Sequence, residues 1–401
     1  MAKGDCMTPH TLISDSQTSL APEFANIAQT RAKNQRKILD AFRQAGVAAR
    51  HFAPSTGYGY NDDSRDKLDA VFAAALGTQA ALVRPHFASG THALSVALQT
   101  LCSAGTRLVA FPGEPYDTIR STINQLVQSG VEYTVGGLDS ACGRNDEDGR
   151  DDVGVVVYIQ RSRGYEWRPS LSVAEINALY EKIKQQNPKN KVIVDNCYGE
   201  FIDAGEPKAD LLVGSLIKNP GGGLAPTGAY IAGNAEDVEK AADRLFAPGI
   251  GAEVGSYAAS YLPFFQGLFL APQIVAQARM GALLAAEVFR RLGYETMPGP
   301  GDTGDLVCSI KLNSAEKLQK LCRAIQAASP VDAMAHPEPW AMPGYDSEVI
   351  MAAGTFIQGS SIELSCDGPM RPPYIAYLQG GLCLDHIIIA LEEAVQAIVN
   401  C

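Results

Sequence analysis

Between Gln79 and Gly233 two kinds of hydrophobic pattern alternate along the chain. QAALVRP, TRLVAFPG, VEYTVGG, VGVVVYIQ, KVIVDN, ADLLVGSLIK and GAYIAG are short, nearly continuous apolar runs, as strands buried on both faces require. SGTHALSVALQTLC, DTIRSTINQLVQSG and SVAEINALYEKIKQQNP instead repeat their apolar residues at helical spacing. Seven such runs interleaved with helices predict an α/β domain whose mostly parallel seven-stranded sheet lies between helices.

The flanks read differently. Ala21 to Ala49 has the periodicity of one amphipathic helix with a glycine stop, and RDKLDAVFAAALG forms another after the aromatic, glycine-rich loop PSTGYGYNDDS. A long helical region follows Gly251, running through APQIVAQARMGALLAAEVFRRLG. VCSIKLN, KLQKLCRAIQAAS, TFIQGSSIELS and LDHIIIALEEAVQAIVN then predict a smaller C-terminal α+β domain of two or three strands with helices. The expected divisions are an N-terminal arm and helix at 1–55, a large domain at 56–262 and a small one at 263–401.

Composition narrows the possibilities. A chain of 401 residues, 46% hydrophobic and 19% charged, has enough apolar material for more than one core. The formal net charge of −11 and the lack of a basic block argue against nucleic acid or an anionic membrane surface as partner. The N-terminus lacks a signal-peptide core, and no charge-free apolar run looks long enough to span a bilayer, so a cytoplasmic protein is expected. Nine cysteines without a CxxC pair suit reduced core thiols rather than disulfides or a zinc site.

Ligands of open α/β sheets bind beyond the carboxyl ends of the strands, and four strand exits carry chemistry there. Ser89-Gly90-Thr91 stands at a helix start, where free amides and the helix dipole favour an anion; a plain serine N-cap is the alternative. Tyr116, just past the next strand, offers an aromatic face. Asp195 ends KVIVD, either as a cap or turn residue or as partner of a buried cation. Ser215 and Lys218 leave the following strand, and the glycines at 221, 222 and 223 give the chain room to turn away. A lysine at a desolvated sheet edge is expected to have a lowered pKa, as a nucleophilic amine needs. Phosphate seat, ring cover, acid and amine together match one cofactor, pyridoxal 5′-phosphate (PLP).

At these residues the sequence resembles the fold-type I PLP-dependent transferases (aspartate aminotransferase-like), within them the cystathionine beta-lyase and methionine gamma-lyase group, and most closely its aluminium-resistance branch. VDNCY at 194–198 and ADLLVGSLIK are similar to group segments; TGYGYND, SGTHAL, PGEPYDT, IQRSRGYEWRPSL, SLIKNPGGGLAPTGAY, APGIGAEVG and DGPMRPPYIAYLQGGL are similar to the branch. The resemblance implies Lys218 as the internal aldimine, Asp195 against the pyridine nitrogen, Tyr116 over the ring, and Ser89, Gly90, Thr91, Tyr198 and Ser215 among the cofactor-binding residues. It also implies a homodimer or homotetramer with shared sites, in which Tyr58 or Tyr60 reaches a neighbour's phosphate, and Arg371 as the grip on the substrate carboxylate. The chain departs from the group at 161–164, where Arg-Ser-Arg-Gly replaces Pro-Ala-Asn-Pro; Arg161 and Arg163 either bind an acidic substrate or pair with carboxylates.

The expected activity is γ- or β-elimination on a side-chain-substituted L-amino acid, with Lys218 as base at Cα and Tyr116 as proton donor to the leaving group. A PLP-dependent aminotransferase or a non-catalytic PLP-binding regulatory protein are the alternatives. A nicotinamide dehydrogenase is disfavoured, because the first strand exit is Ser-Gly-Thr rather than GxGxxG.

Overall fold

The computed structural model describes residues 8–136, 154–302 and 304–399. Its helices are α1 (Pro9–Ser19), α2 (Ala21–Ala45), α3 (Asp63–Leu76), α4 (Gly90–Leu101), α5 (Arg120–Gln128), α6 (Val173–Gln186), α7 (Ala235–Leu245), α8 (Leu262–Arg291), α9 (Ala315–Ala327) and α10 (Leu384–Val399). Its strands are β1 (Ala80–Arg84), β2 (Arg107–Phe111), β3 (Glu132–Val135), β4 (Val155–Gln160), β5 (Lys191–Asp195), β6 (Leu211–Ser215), β7 (Ala229–Gly233), β8 (Glu295–Met297), β9 (Val307–Lys311), β10 (Val349–Ala352), β11 (Ser365–Pro369) and β12 (Ile375–Gln379). The chain divides into two compact units, one of 33–164 and 170–271, the other of residues up to Ala32 with 165–169 and 272–401. The cuts at 32 and 271 fall inside α2 and α8, so the N-terminal helix groups with the C-terminal segment rather than standing apart as an arm.

In the larger unit the seven strands form one sheet in the order β1-β7-β6-β5-β4-β2-β3. β7 runs antiparallel to both neighbours and the remaining pairs are parallel. The apolar runs become strands because both faces are covered: every residue of β4, β6 and β7 is buried. Local signals start and stop the helices between them. Asp62 caps α3, whose end is a left-handed Gly77, and Ser172 with Glu175 forms a capping box on α6. Register brings the strand exits to one edge. Ala229 pairs with Arg84 on one side and Ser215 on the other, Asp195 with Val213 and Gln160, and Phe111 with Ile159.

The second unit holds a five-stranded, all-antiparallel sheet, β10-β11-β12-β9-β8, rather than the two or three strands expected. The stretch around TFIQGSSIELS is turns up to Leu364 and reaches a strand only at Ser365. Leu318, Leu321 and Ile325 of α9, Leu391 and Val395 of α10 and Leu284 and Val288 of α8 pack into this sheet's core. Two helices went unrecognised in the pattern, α1, begun by a Thr8 cap and Pro9, and α7.

Contrary to expectation, one helix is long and apolar enough to cross a membrane, Leu262–Arg291, but 56% of its most apolar window is buried, as in a core helix. Six cysteines fall within the described residues, none of them in a disulfide, five buried and Cys383 exposed; Cys6, Cys142 and Cys401 lie outside them.

Candidate active site

Lys218 is half-buried and sits three residues past the end of β6, where its N–H donates to the Ser215 carbonyl at 3.3 Å and a short 3₁₀ turn, Asn219–Gly221, follows. The glycines after it answer to packing. Gly222 has φ +53°, and a Cβ there would lie 2.4 Å from the Gly267 carbonyl oxygen of α8. A Cβ on Gly221 would lie 1.8 Å from the Leu216 carbonyl oxygen. Close backbone approach thus accounts for glycine at 221 and 222, and the left-handed φ of +74° for glycine at 223.

The N-terminus of α4 closes one side of the site. A Cβ on Gly90 would come within 3.2 Å of Ser215 Cβ and 3.6 Å of Cys197 Sγ, so α4 begins against the exits of β5 and β6. The Ser89 hydroxyl acts as the N-cap, accepting from His92 N–H at 3.1 Å, and Thr91 Oγ1 pairs with Thr118 Oγ1 at 2.8 Å. The amides of the first turn have no intrahelical acceptor, which leaves them and the helix dipole directed at this space. Tyr116 is positioned through its backbone, its N–H donating to Gln160 Oε1 at 2.7 Å, and its ring edge lies 3.1 Å from where a Gly164 Cβ would stand.

Asp195 is held at both oxygens. Tyr158 O–H donates to Oδ2 at 3.2 Å and Cys197 N–H to Oδ1 at 3.1 Å. Tyr198, at φ +68°, presents its ring to the Lys218 ammonium, 4.1 Å from the ring centroid. Burial penalises the Lys218 ammonium, as the sequence suggested, but Cys197, Tyr198, Asp195 and Glu200 in their anionic forms outweigh that penalty and hold its pKa above the ordinary value. The expected depression is thus reversed in the protein alone, because a desolvated amine surrounded by acidic groups keeps its proton. Burial first, then Asp195, pushes the Cys197 thiol well up, while the Lys218 charge acts in the opposite direction.

The remaining predicted residues are placed as follows. Arg161 pairs with Asp203 at 2.8 Å and donates to Asn196 Oδ1 at 2.7 Å and the Gly199 carbonyl at 2.8 Å, which settles it as a carboxylate partner. Arg163 is fully buried. Tyr58 and Tyr60 are 73% and 59% exposed with ring centroids 5.6 Å apart, on the loop before α3. Arg371 is exposed on the turn joining β11 and β12 in the second unit, where Tyr374 N–H donates to its carbonyl at 2.8 Å.

Residues 10–399 match the family described as Methionine gamma-lyase. The chain belongs to the methionine gamma-lyase family. Within the family's reach, YnbB of Bacillus subtilis (strain 168) is 42% identical over 403 residues, covering 96% of this chain and 95% of that protein. The crystal structure of a carbon-sulfur lyase involved in aluminum resistance from Clostridium novyi NT superposes with a TM-score of 0.91 at 42% identity, covering 97% of this chain and 96% of that one. The pyridoxal-5′-phosphate dependent protein YhfS from Escherichia coli, 16% identical with a TM-score of 0.62 over 93% of this chain and 97% of its own, shares the fold.

Tyr158, Gln160, Cys197 and Glu200 also belong to this family member's site and were not singled out in the sequence. Tyr158 and Gln160 carried a signal, polar groups two apart at the end of an otherwise apolar strand. Cys197 and Glu200 lie within five residues of Asp195; Cys197 reads in the sequence only as one of the core thiols, and nothing there marks the burial of Glu200.

Proposed function

We propose that the protein is a fold-type I PLP-dependent lyase that eliminates a γ- or β-substituent from an L-amino acid. The observation that carries this reading is the gathering of the Lys218 amine, the Asp195 carboxylate and the open end of α4 at one sheet edge. The donor set fits PLP: Gly90 and Thr91 amides with Ser215 and Ser89 would hold the phosphate, Asp195 the ring nitrogen, and Tyr116 and Tyr198 the ring. The absence of a side chain at Gly90 lets the start of α4 lie close against Ser215 and Cys197.

When bound, PLP supplies an aldehyde for covalent attachment and an electron-withdrawing ring. Lys218 would hold the cofactor covalently, and its amine would be the base that takes the proton from the substrate Cα. Tyr158 and the Cys197 amide would keep the Asp195 carboxylate oriented. Tyr116 would donate a proton to the leaving group, a thiolate or another heteroatom group such as halide, and Arg371 would grip the substrate carboxylate. Family membership and the likeness to a carbon-sulfur lyase favour elimination over amino-group transfer. The exposed Tyr58 and Tyr60 fit a homodimer or homotetramer in which one of them reaches a neighbouring site, and a cytoplasmic location accords with the acidic composition.

Two measurements test the proposal. Hydride reduction of PLP-treated protein should leave a pyridoxyl group on the Lys218 peptide, absent in Lys218→Ala. A panel of β- and γ-substituted amino acids should then release ammonia and a 2-oxo acid without an added acceptor. An unmodified Lys218 peptide refutes the cofactor site; a modified peptide with product formed only when a 2-oxo acid is added makes the protein an aminotransferase, and no product at all a binding protein.

A further inference from the structure

A second carboxyl group stands beside Lys218 that elimination chemistry does not use. Glu200 lies on the turn after β5 and is fully buried. Its Oε1 accepts from Tyr230 O–H of β7 at 2.9 Å, while Oε2 is buried with no hydrogen-bond partner. The fit is tight: a Cβ on Gly214, the residue before Ser215, would lie 2.2 Å from Oε1. The Glu200 carbonyl in turn accepts from Asn219 Nδ2 at 2.9 Å, tying this turn to the residue that follows Lys218.

An ionised carboxylate in this position leaves one oxygen without a donor, a cost that the protonated acid avoids. Burial first pushes the Glu200 pKa up to about 8 and the Glu206 charge adds to it, while its own backbone amide, Tyr230 and Lys218 act in the opposite direction. The charged and titratable groups facing it are Tyr230 from β7, Lys218 from the turn after β6, Cys197 from its own turn and Glu206 from the loop beyond. Glu206 is itself compensated by Lys37 of α2 at 3.8 Å and by Arg161 at 3.7 Å. Among these groups the Lys218 ammonium is the cation whose charge favours an ionised Glu200.

We propose that Glu200 is a positioning residue that biases the charge of Lys218: as the carboxylate it helps to hold the amine as an ammonium, and as the neutral acid it withdraws that support. The proposal rests on Lys218 being the reactive lysine. It makes an acid outside the cofactor's contacts a control on the amine.

Competitive labelling with acetic anhydride tests this on the cofactor-free protein, reading acetylation of the Lys218 peptide by mass spectrometry from neutral to alkaline pH. In Glu200→Gln the labelling midpoint of Lys218 should fall by about one pH unit or more, a roughly tenfold gain in labelling at a fixed pH below the midpoint. Tyr230→Phe removes the hydrogen bond that favours the ionised acid and should move the midpoint the same way by less. It decides the question if Glu200→Gln does not fold. Lys240, exposed on α7 and paired with Glu236, is the internal reference and should keep its midpoint. An unshifted Lys218 midpoint in the folded variants overturns the role of Glu200. That result is separable from failure of the cofactor reading, which appears as a missing pyridoxyl adduct and leaves the labelling curves intact.

Discussion

Replacing Gly222 by alanine isolates the contact between the turn after Lys218 and the backbone of α8. The new Cβ would lie 2.4 Å from the Gly267 carbonyl oxygen and 3.3 Å from Ala271 N, at a φ of +53°. Gly77, the left-handed C-terminal residue of α3 at φ +71°, has nothing within 4 Å of its Cβ position. Both alanine variants bear the cost of a left-handed side chain, roughly 1–2 kcal/mol. Only Gly222→Ala must also force two backbones apart, which adds about 1–3 kcal/mol as overpacking does. Equilibrium urea unfolding should therefore show Gly222→Ala destabilised by roughly 2–5 kcal/mol and exceeding Gly77→Ala by at least about 1 kcal/mol. Equal losses, within about 0.5 kcal/mol, would refute the argument that the glycine run exists for this close approach.

Three further outcomes follow from the site. Tyr158→Phe removes the hydroxyl donor to Asp195 Oδ2 and should loosen PLP retention about tenfold in equilibrium dialysis, since a bond to a charged group is worth roughly 1.5 kcal/mol or more. Arg161→Met removes the cation of Asp203, the donor to Asn196 and one of the two cations beside the buried Glu206, and denaturant melts should show a loss of about 3–5 kcal/mol. The folded-state pKa of Glu200 is raised from 4.5 to about 8, so its contribution to stability is complete below 4.5 and is lost as pH rises through 8. Across that window the wild type should lose roughly 1–1.5 kcal/mol per pH unit relative to Glu200→Gln, about 5 kcal/mol in all, and parallel pH profiles of unfolding free energy would contradict it.

The central sheet was legible because strands buried on both faces show as unbroken apolar runs, and VVVYIQ or LLVGS admit little else. The antiparallel sheet of the second unit was not. SCDGP has no strand-forming residue pattern, yet β11 lies between β10 and β12 with all five of its residues buried, so neighbours rather than propensity make it a strand. At the site, chemistry at strand exits could be read residue by residue, and Lys218, Asp195, Ser215 and Gly90 do converge. What stayed hidden depends on contacts between distant segments: the Gly222 approach to Gly267, the pairing of Arg161 with Asp203, and the acids that reverse the expected pKa of Lys218.

The pairing of β1 with β7 has a bearing on how the protein is made. Ala80 meets Gly233 and Arg84 meets Ala229, so β1 emerges from the ribosome long before the strand that joins it to the sheet. Its neighbour in the sheet is also the bridge to β6, so β1 joins the sheet only when β7 has been made. Closing so long a loop is slow, and until then the early segments display an unpaired apolar strand. Chains stalled before residue 229 should therefore be digested by protease within β1 and bind no PLP, whereas chains stalled well beyond 271, with α8's first turns released, should protect it.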